Sequence, residues 1–209
     1  VEITPGIGQI AIFKLSGQRK VPILVDKNNV ITDSSAIIRY LEKEYPNPQL
    51  KPNKPEEESM VHLLEDWADT TMANASRKIL LKTALRDPRL MKALFPETMS
   101  SDLINIISDQ PRKIACGLSE ILNDGEEYDL LQNLRKLTTL ISSHQWLVGK
   151  SISFADIAVA AQLSLLKFPK SAGIVLEGKG CPGFSDHPDL ENLFHWRDLI
   201  ENNLMGTDP

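Results

Sequence analysis

Two short stretches hold residues whose types and spacing could do chemistry. In Lys20-Val21-Pro22-Ile23-Leu24-Val25 a proline heads a β-branched run. Proline has no N–H to give to a sheet ladder, so it belongs at an edge, a bulge or a first position. A trans proline opening an edge strand is the commoner arrangement. A cis Val21–Pro22 bond would instead turn the Val21 N–H and C=O outward, free to pair with an extended peptide. Further on, Asp33-Ser34 stands ahead of a run of helical periodicity. Unpaired N–H groups and the positive dipole end at a helix start favour a carboxylate, and the Asp33 side chain could hold an ammonium. Lys20 could answer a second carboxylate. The chemistry is that of a clamp for a short peptide carrying an amino-acid head at one end and an acid at the other.

The elements that must position these residues fall into two halves. Val1 to Thr4 and Val21 to Val25 read as strands, with Gly6, Gly8 and Gly17 in the short connection between them. Asn29 to Thr32 is a further strand, and Asp26-Lys27-Asn28-Asn29 suits the turn of an antiparallel hairpin. The period then changes: Ile37, Ile38, Leu41 and Tyr45 recur at helical spacing behind the N-cap candidates Asp33, Ser34 and Ser35, and the helix stops before Pro46. Four prolines between Pro46 and Pro55 resist both helix and strand and mark a linker. Beyond it Met60, Leu63, Leu64, Trp67 and Thr71 share one helical face, and Leu130, Leu131, Leu134, Leu137 and Leu140 share another. The expected division is residues 1–46, a linker over 47–55, and an all-helical domain over 56–209.

Composition bounds the possible functions. The 209 residues are 42% hydrophobic and 24% charged, as in an ordinary soluble globular protein. With 28 acidic and 23 basic residues the net charge is −5, which gives no long-range attraction for nucleic acid or an anionic membrane. No apolar stretch approaches the roughly 20 residues of a membrane span, and no leader opens the chain. Cys116 and Cys181 are too few and too far apart for a disulfide framework or a zinc cage, so a cytoplasmic address is expected. The chain opens on Val1-Glu2-Ile3-Thr4 with no initiator methionine, which reads as an upstream element being absent.

Other motifs carry less. Ser153-Phe154-Ala155-Asp156 has the spacing of a capping box ahead of an apolar run from Ile157 to Leu166, the signature of a central buried helix. Gly6-Ile7-Gly8-Gln9-Ile10-Ala11 matches G-x-G-x-x-A, with Asp26 at a distance suited to a ribose contact. No further strand and helix units follow to complete a dinucleotide fold. His62, His144, His187 and His195 show no metal-ligand spacing, and Arg77, Lys78 and Lys82 read as a solvated helix face.

A peptide with an amino-acid head, a central amide and a terminal carboxylate is glutathione. Lys20-Val21-Pro22-Ile23-Leu24, followed by Ile31-Thr32-Asp33-Ser34-Ser35-Ala36-Ile37-Ile38-Arg39-Tyr40-Leu41, resembles the glutathione-site half of a glutathione S-transferase. Gly149 and Ser153-Phe154-Ala155-Asp156-Ile157 in the helical half are similar to that family's buried capping box. The resemblance implies an α/β plus all-α architecture: a thioredoxin-like N-terminal domain, incomplete at its start, followed by an α-helical bundle. It also implies a homodimer and glutathione as co-substrate for attack on a small apolar electrophile. By position, Val21 would offer its backbone through a cis bond to Pro22, Asp33 and Ser34 would hold the γ-glutamyl end, and Lys20 would meet the glycyl carboxylate. Asp33 departs from the usual Glu or Gln. The electrophile would sit between the domains against the first helices of the bundle, with Trp67, Thr71 and Met72 as wall candidates. The residue that activates the thiol would lie upstream of Val1, so no catalytic residue is assigned. A glutathione-transferase-like binding or scaffold module without turnover is the rival reading.

Overall fold

A computed structural model describes residues 7–18, 21–94 and 124–205. The N-terminal part consists of helix α1 (Ile7–Ser16), strands β1 (Ile23–Asp26) and β2 (Asn29–Thr32), and helix α2 (Ser34–Glu44). The strands pair antiparallel in the register Ile23 to Thr32 and Asp26 to Asn29, so Lys27 and Asn28 form a two-residue turn. Lys27 adopts φ 54°, the left-handed conformation such turns require.

Helix α1 corrects the reading of a short connection between two strands. It has no amphipathic signature to betray it: Ile12 is buried, while Ile10, Phe13 and Leu15 are exposed. Gly17 closes it at φ 73°, with its N–H on the Phe13 carbonyl at 2.8 Å, as a glycine does just past a helix end. Gly8 lies inside this helix and not in a phosphate-binding turn. The expected strand over Val1 to Thr4 lies outside the described residues.

Residues 45–54 contain neither helix nor strand. Helix α3 (Pro55–Trp67) then runs through a π-helical turn (Ala68–Met72) into α4 (Ala73–Ala84), followed by α5 (Pro88–Leu94), α6 (Asp124–Ser143), α7 (Phe154–Leu166) and α8 (Glu191–Met205). Proline suits the start of α3 because its missing N–H is one the first turn leaves unpaired anyway. Helix α7 is the centre of the bundle: Ala155, Val159, Leu163 and Leu166 are wholly buried, and α3, α4 and α8 pack around it. This is the thioredoxin-like plus all-helical architecture.

The Ser153–Asp156 box forms as the spacing predicts. Asp156 Oδ2 accepts the Ser153 N–H at 2.8 Å and the Ser153 hydroxyl at 2.7 Å, and both residues are buried. Lys78 and Lys82 are not a free solvated face: they pair with Glu126 and Glu127 of α6. Among the described residues no helix is long and apolar enough to cross a membrane.

Candidate functional site

The β1–β2 register builds the site. Pairing Ile23 with Thr32 leaves Val21-Pro22 and Asp33-Ser34 at the same end of the ladder. The Val21–Pro22 peptide is cis, Val21 is exposed, and among the described residues its N–H and C=O have no hydrogen-bond partner. Lys20 lies outside the described residues.

Asp33 has φ 80°, a conformation that costs a non-glycine residue roughly 1–3 kcal/mol and that clusters at ligand clamps. It is the N-cap of α2: Oδ1 accepts the Ala36 N–H at 3.1 Å, and its carbonyl accepts the Ile37 N–H at 2.9 Å. The cap therefore takes one carboxylate oxygen and leaves Oδ2 open toward solvent. The N–H groups of Ser34 and Ser35 and the Ser34 hydroxyl have no partner among the described residues. Three donors at the positive end of an 11-residue helix make a receptor for a carboxylate.

Sequence reasoning missed the back of this site. The Ser35 hydroxyl donates to Glu65 Oε1 at 3.0 Å, across from α2 to α3. Glu65 is 5% exposed, and its other oxygen lies 3.5 Å from His62 Nδ1. A charged residue in line with Val61 and Ala68, both buried, was the available signal, since a carboxylate is almost never buried unpaired. Asp69, on the π-helical turn, has its carboxyl pushed up by partial burial and then by the charge of Glu65, with Asp33 a smaller contributor. The three acids therefore border one region. Burial pushes the Cys181 thiol up, so it is a poor source of thiolate. Cys116 lies outside the described residues.

The expected electrophile wall is redistributed. Met72 is fully buried and belongs to the core. Trp67 and Thr71 do border open space, two grooves of about 560 and 290 Å³, but the larger is walled otherwise by α3 and α6 and the smaller by α4 and α6, and neither takes a wall from the described residues of the N-terminal part. The cavity that does lie between the two parts, about 340 Å³, has Ile38, Val61 and Phe154 on its floor and Arg39, Lys43 and His62 at its rim.

Comparison with known proteins agrees with this fold. Residues 1–49 match the family model of the glutathione S-transferase N-terminal domain. A glutathione S-transferase from Rhodospirillum rubrum is 25% identical, with a TM-score of 0.57, over 92% of this chain and 70% of that one. The beta-etherase LigF from Sphingobium sp. shares the fold at 20% identity and a TM-score of 0.60, over 91% of this chain and 77% of its own. FtsZ-localized protein A of Caulobacter vibrioides is 26% identical over 151 residues, 70% of this chain. The chain spans 56% of the length of that relative.

Proposed function

We propose that this chain, a member of the cytosolic-type glutathione S-transferase-like family, binds glutathione at the mouth of α2 and presents its thiol for attack on small apolar electrophiles. The observation that carries the reading is the set of open donors on Ser34 and Ser35 beside the unpaired backbone of Val21. The γ-glutamyl carboxylate would take the Ser34 hydroxyl and the two N–H groups, and the ammonium would face Asp33 Oδ2. The cysteinyl amide would pair with Val21 beyond Pro22, and Lys20 would meet the glycyl carboxylate. Attack requires thiolate, so the thiol pKa must be lowered by a hydroxyl donor or a helix N-terminus. No residue of this chain is assigned that role. The division into 1–46, 47–55 and 56–209, a homodimeric assembly, a cytoplasmic address and a part in detoxification belong to the same reading, which involves no nucleic acid and no membrane.

The similarity to a protein named for its localization with FtsZ favours a second reading, in which the fold binds glutathione or a protein partner without turnover. A calorimetric titration with glutathione tests the shared premise. The wild-type chain should bind, and Ser34→Ala and Asp33→Ala should each weaken binding roughly tenfold, the scale of one hydrogen bond to a charged group. Unchanged affinity in both variants refutes the clamp. Turnover of an aryl halide by the glutathione-loaded chain then separates the enzyme from the binding module.

A further inference from the structure

We propose that Glu65 is a positioning residue for the mouth of α2: a buried carboxylate of the helical domain that holds Ser35, and through it sets the donors that grip the ligand's carboxylate. The inference rests on the glutathione reading and extends it to the coupling between the two domains. Beyond its ties to the hairpin through Tyr40 and Tyr45, helix α2 is anchored among the described residues in two other places. Ile38 packs against the helical core, and Glu42 Oε1 accepts the Leu50 N–H at 2.9 Å. Both lie beyond the first turn. Among the described residues, the hydrogen bond that reaches the first turn from the helical domain is Ser35 to Glu65, and Ser35 directly follows Ser34.

The first turn has reason to need such an anchor. It begins at a residue with φ 80°, and its own cap ties Asp33 to Ala36 and Ile37 while leaving the N–H groups of Ser34 and Ser35 without partners. A rotation of that turn would move all three donors together, and positioning errors of this kind weaken recognition without removing any contact group. Glu65, screened from water and flanked by His62, is a fixed acceptor. It sits just ahead of the π-helical turn Ala68–Met72, and such turns are frequent at functional sites. By linkage, a ligand that steadies the mouth must also strengthen the Ser35–Glu65 contact, so occupancy is communicated to α3.

The test is a calorimetric titration of the full chain with glutathione on Ser35→Ala, Glu65→Leu, Glu65→Gln and the double variant Ser35→Ala/Glu65→Leu, with thermal melts alongside. Ser35→Ala and Glu65→Leu should each weaken binding about tenfold. The double variant should lose no more than either single one, and Glu65→Gln, whose amide oxygen still accepts from Ser35, should stay within about twofold of wild type. A merely structural contact would lower the melting temperature of Ser35→Ala and leave its affinity unchanged, and that result overturns the proposal, as do additive losses in the double variant. If Glu65→Leu does not fold, Ser35→Ala set against Glu65→Gln decides the matter. A wild-type chain that takes up no glutathione sinks the underlying reading before any variant is compared. Wild-type binding with Ser35→Ala and Glu65→Leu unchanged sinks this inference alone.

Discussion

Asp156 Oδ1 lies 2.8 Å from the Leu147 N–H, so a carboxylate in the first turn of α7 also fastens the loop that leads into it. Its other oxygen takes two donors from Ser153. Asp156→Ala would therefore strand three buried donors and should cost roughly 3 kcal/mol or more in urea unfolding. Ser153→Ala should cost about 1 kcal/mol, the scale of a lost cap. Equal losses in the two variants would show that the loop contact contributes nothing.

Asp26 accepts the Tyr40 hydroxyl at 2.7 Å and the Tyr45 hydroxyl at 2.9 Å, an arrangement that pins α2 to the hairpin. These bonds hold its carboxyl below its ordinary value of 3.8, Tyr40 being the larger influence. The folded value is the depressed one, so the stabilisation is present above pH 3.8 and fades as pH falls through the folded value. An NMR titration of the Asp26 carboxyl should show an upward shift in Tyr40→Phe that exceeds the shift in Tyr45→Phe. The reverse order would contradict the assigned geometry.

For Asp156 the sign is opposite. Burial raises its carboxyl above 3.8 against the pull of the donors it accepts, so the proton-linked part of its contribution is complete below that pH and is lost as pH rises through the folded value, while the accepted hydrogen bonds remain. The slope of stability against pH above 3.8 should accordingly become more positive in Asp156→Ala than in wild type, which denaturation at a series of pH values would read directly.

Lys78 and Lys82 face Glu126 and Glu127 at 2.6 and 2.5 Å, joining α4 to α6. The Lys82 side chain is 20% exposed, so its pair is screened less than a surface pair. A double-mutant cycle on Lys82→Met and Glu127→Gln should give a coupling of about 0.5–1 kcal/mol that shrinks in 1 M salt. A salt-independent coupling would mean packing and not charge.

Gly180 is required by space. A Cβ there would lie 2.4 Å from Ser185 Cβ and 2.5 Å from the Leu166 carbonyl, where the chain bridges back to Lys167. Gly180→Ala should cost about 2 kcal/mol or more. Gly178→Ala, at φ 71° but with nothing near, should cost only about 1 kcal/mol from backbone strain. Thermal unfolding of the two variants compares crowding with strain.

The legible parts of the fold were those in which neighbours along the chain satisfy one another. Asp26-Lys27-Asn28-Asn29 made a hairpin because its turn needs only its own residues, and Ser153 and Asp156 made a box because their partners are three residues apart. Helix α1 was not legible: only Ile12 among its described side chains is buried, so no stripe of apolar residues repeats along it. The basic residues Lys78 and Lys82 looked like a solvated face because their partners are more than forty residues further on.

The same division runs through the candidate site. Residue types alone narrowed the cap of α2 to Asp33, Ser34 and Ser35 and placed Asp33-Ser34 at its open end, because a helix start must leave donors unpaired and short polar side chains can satisfy some of them; the structure selects Asp33. Tertiary structure decided what stands behind that end. The contact from Ser35 to Glu65 spans 30 positions in the chain and two domains. It exists because α3 packs where Glu65 is cut off from water, and a carboxylate removed from water must take whatever donor lies within reach. No local pattern encodes which donor that is, since the choice is made by the packing of whole elements.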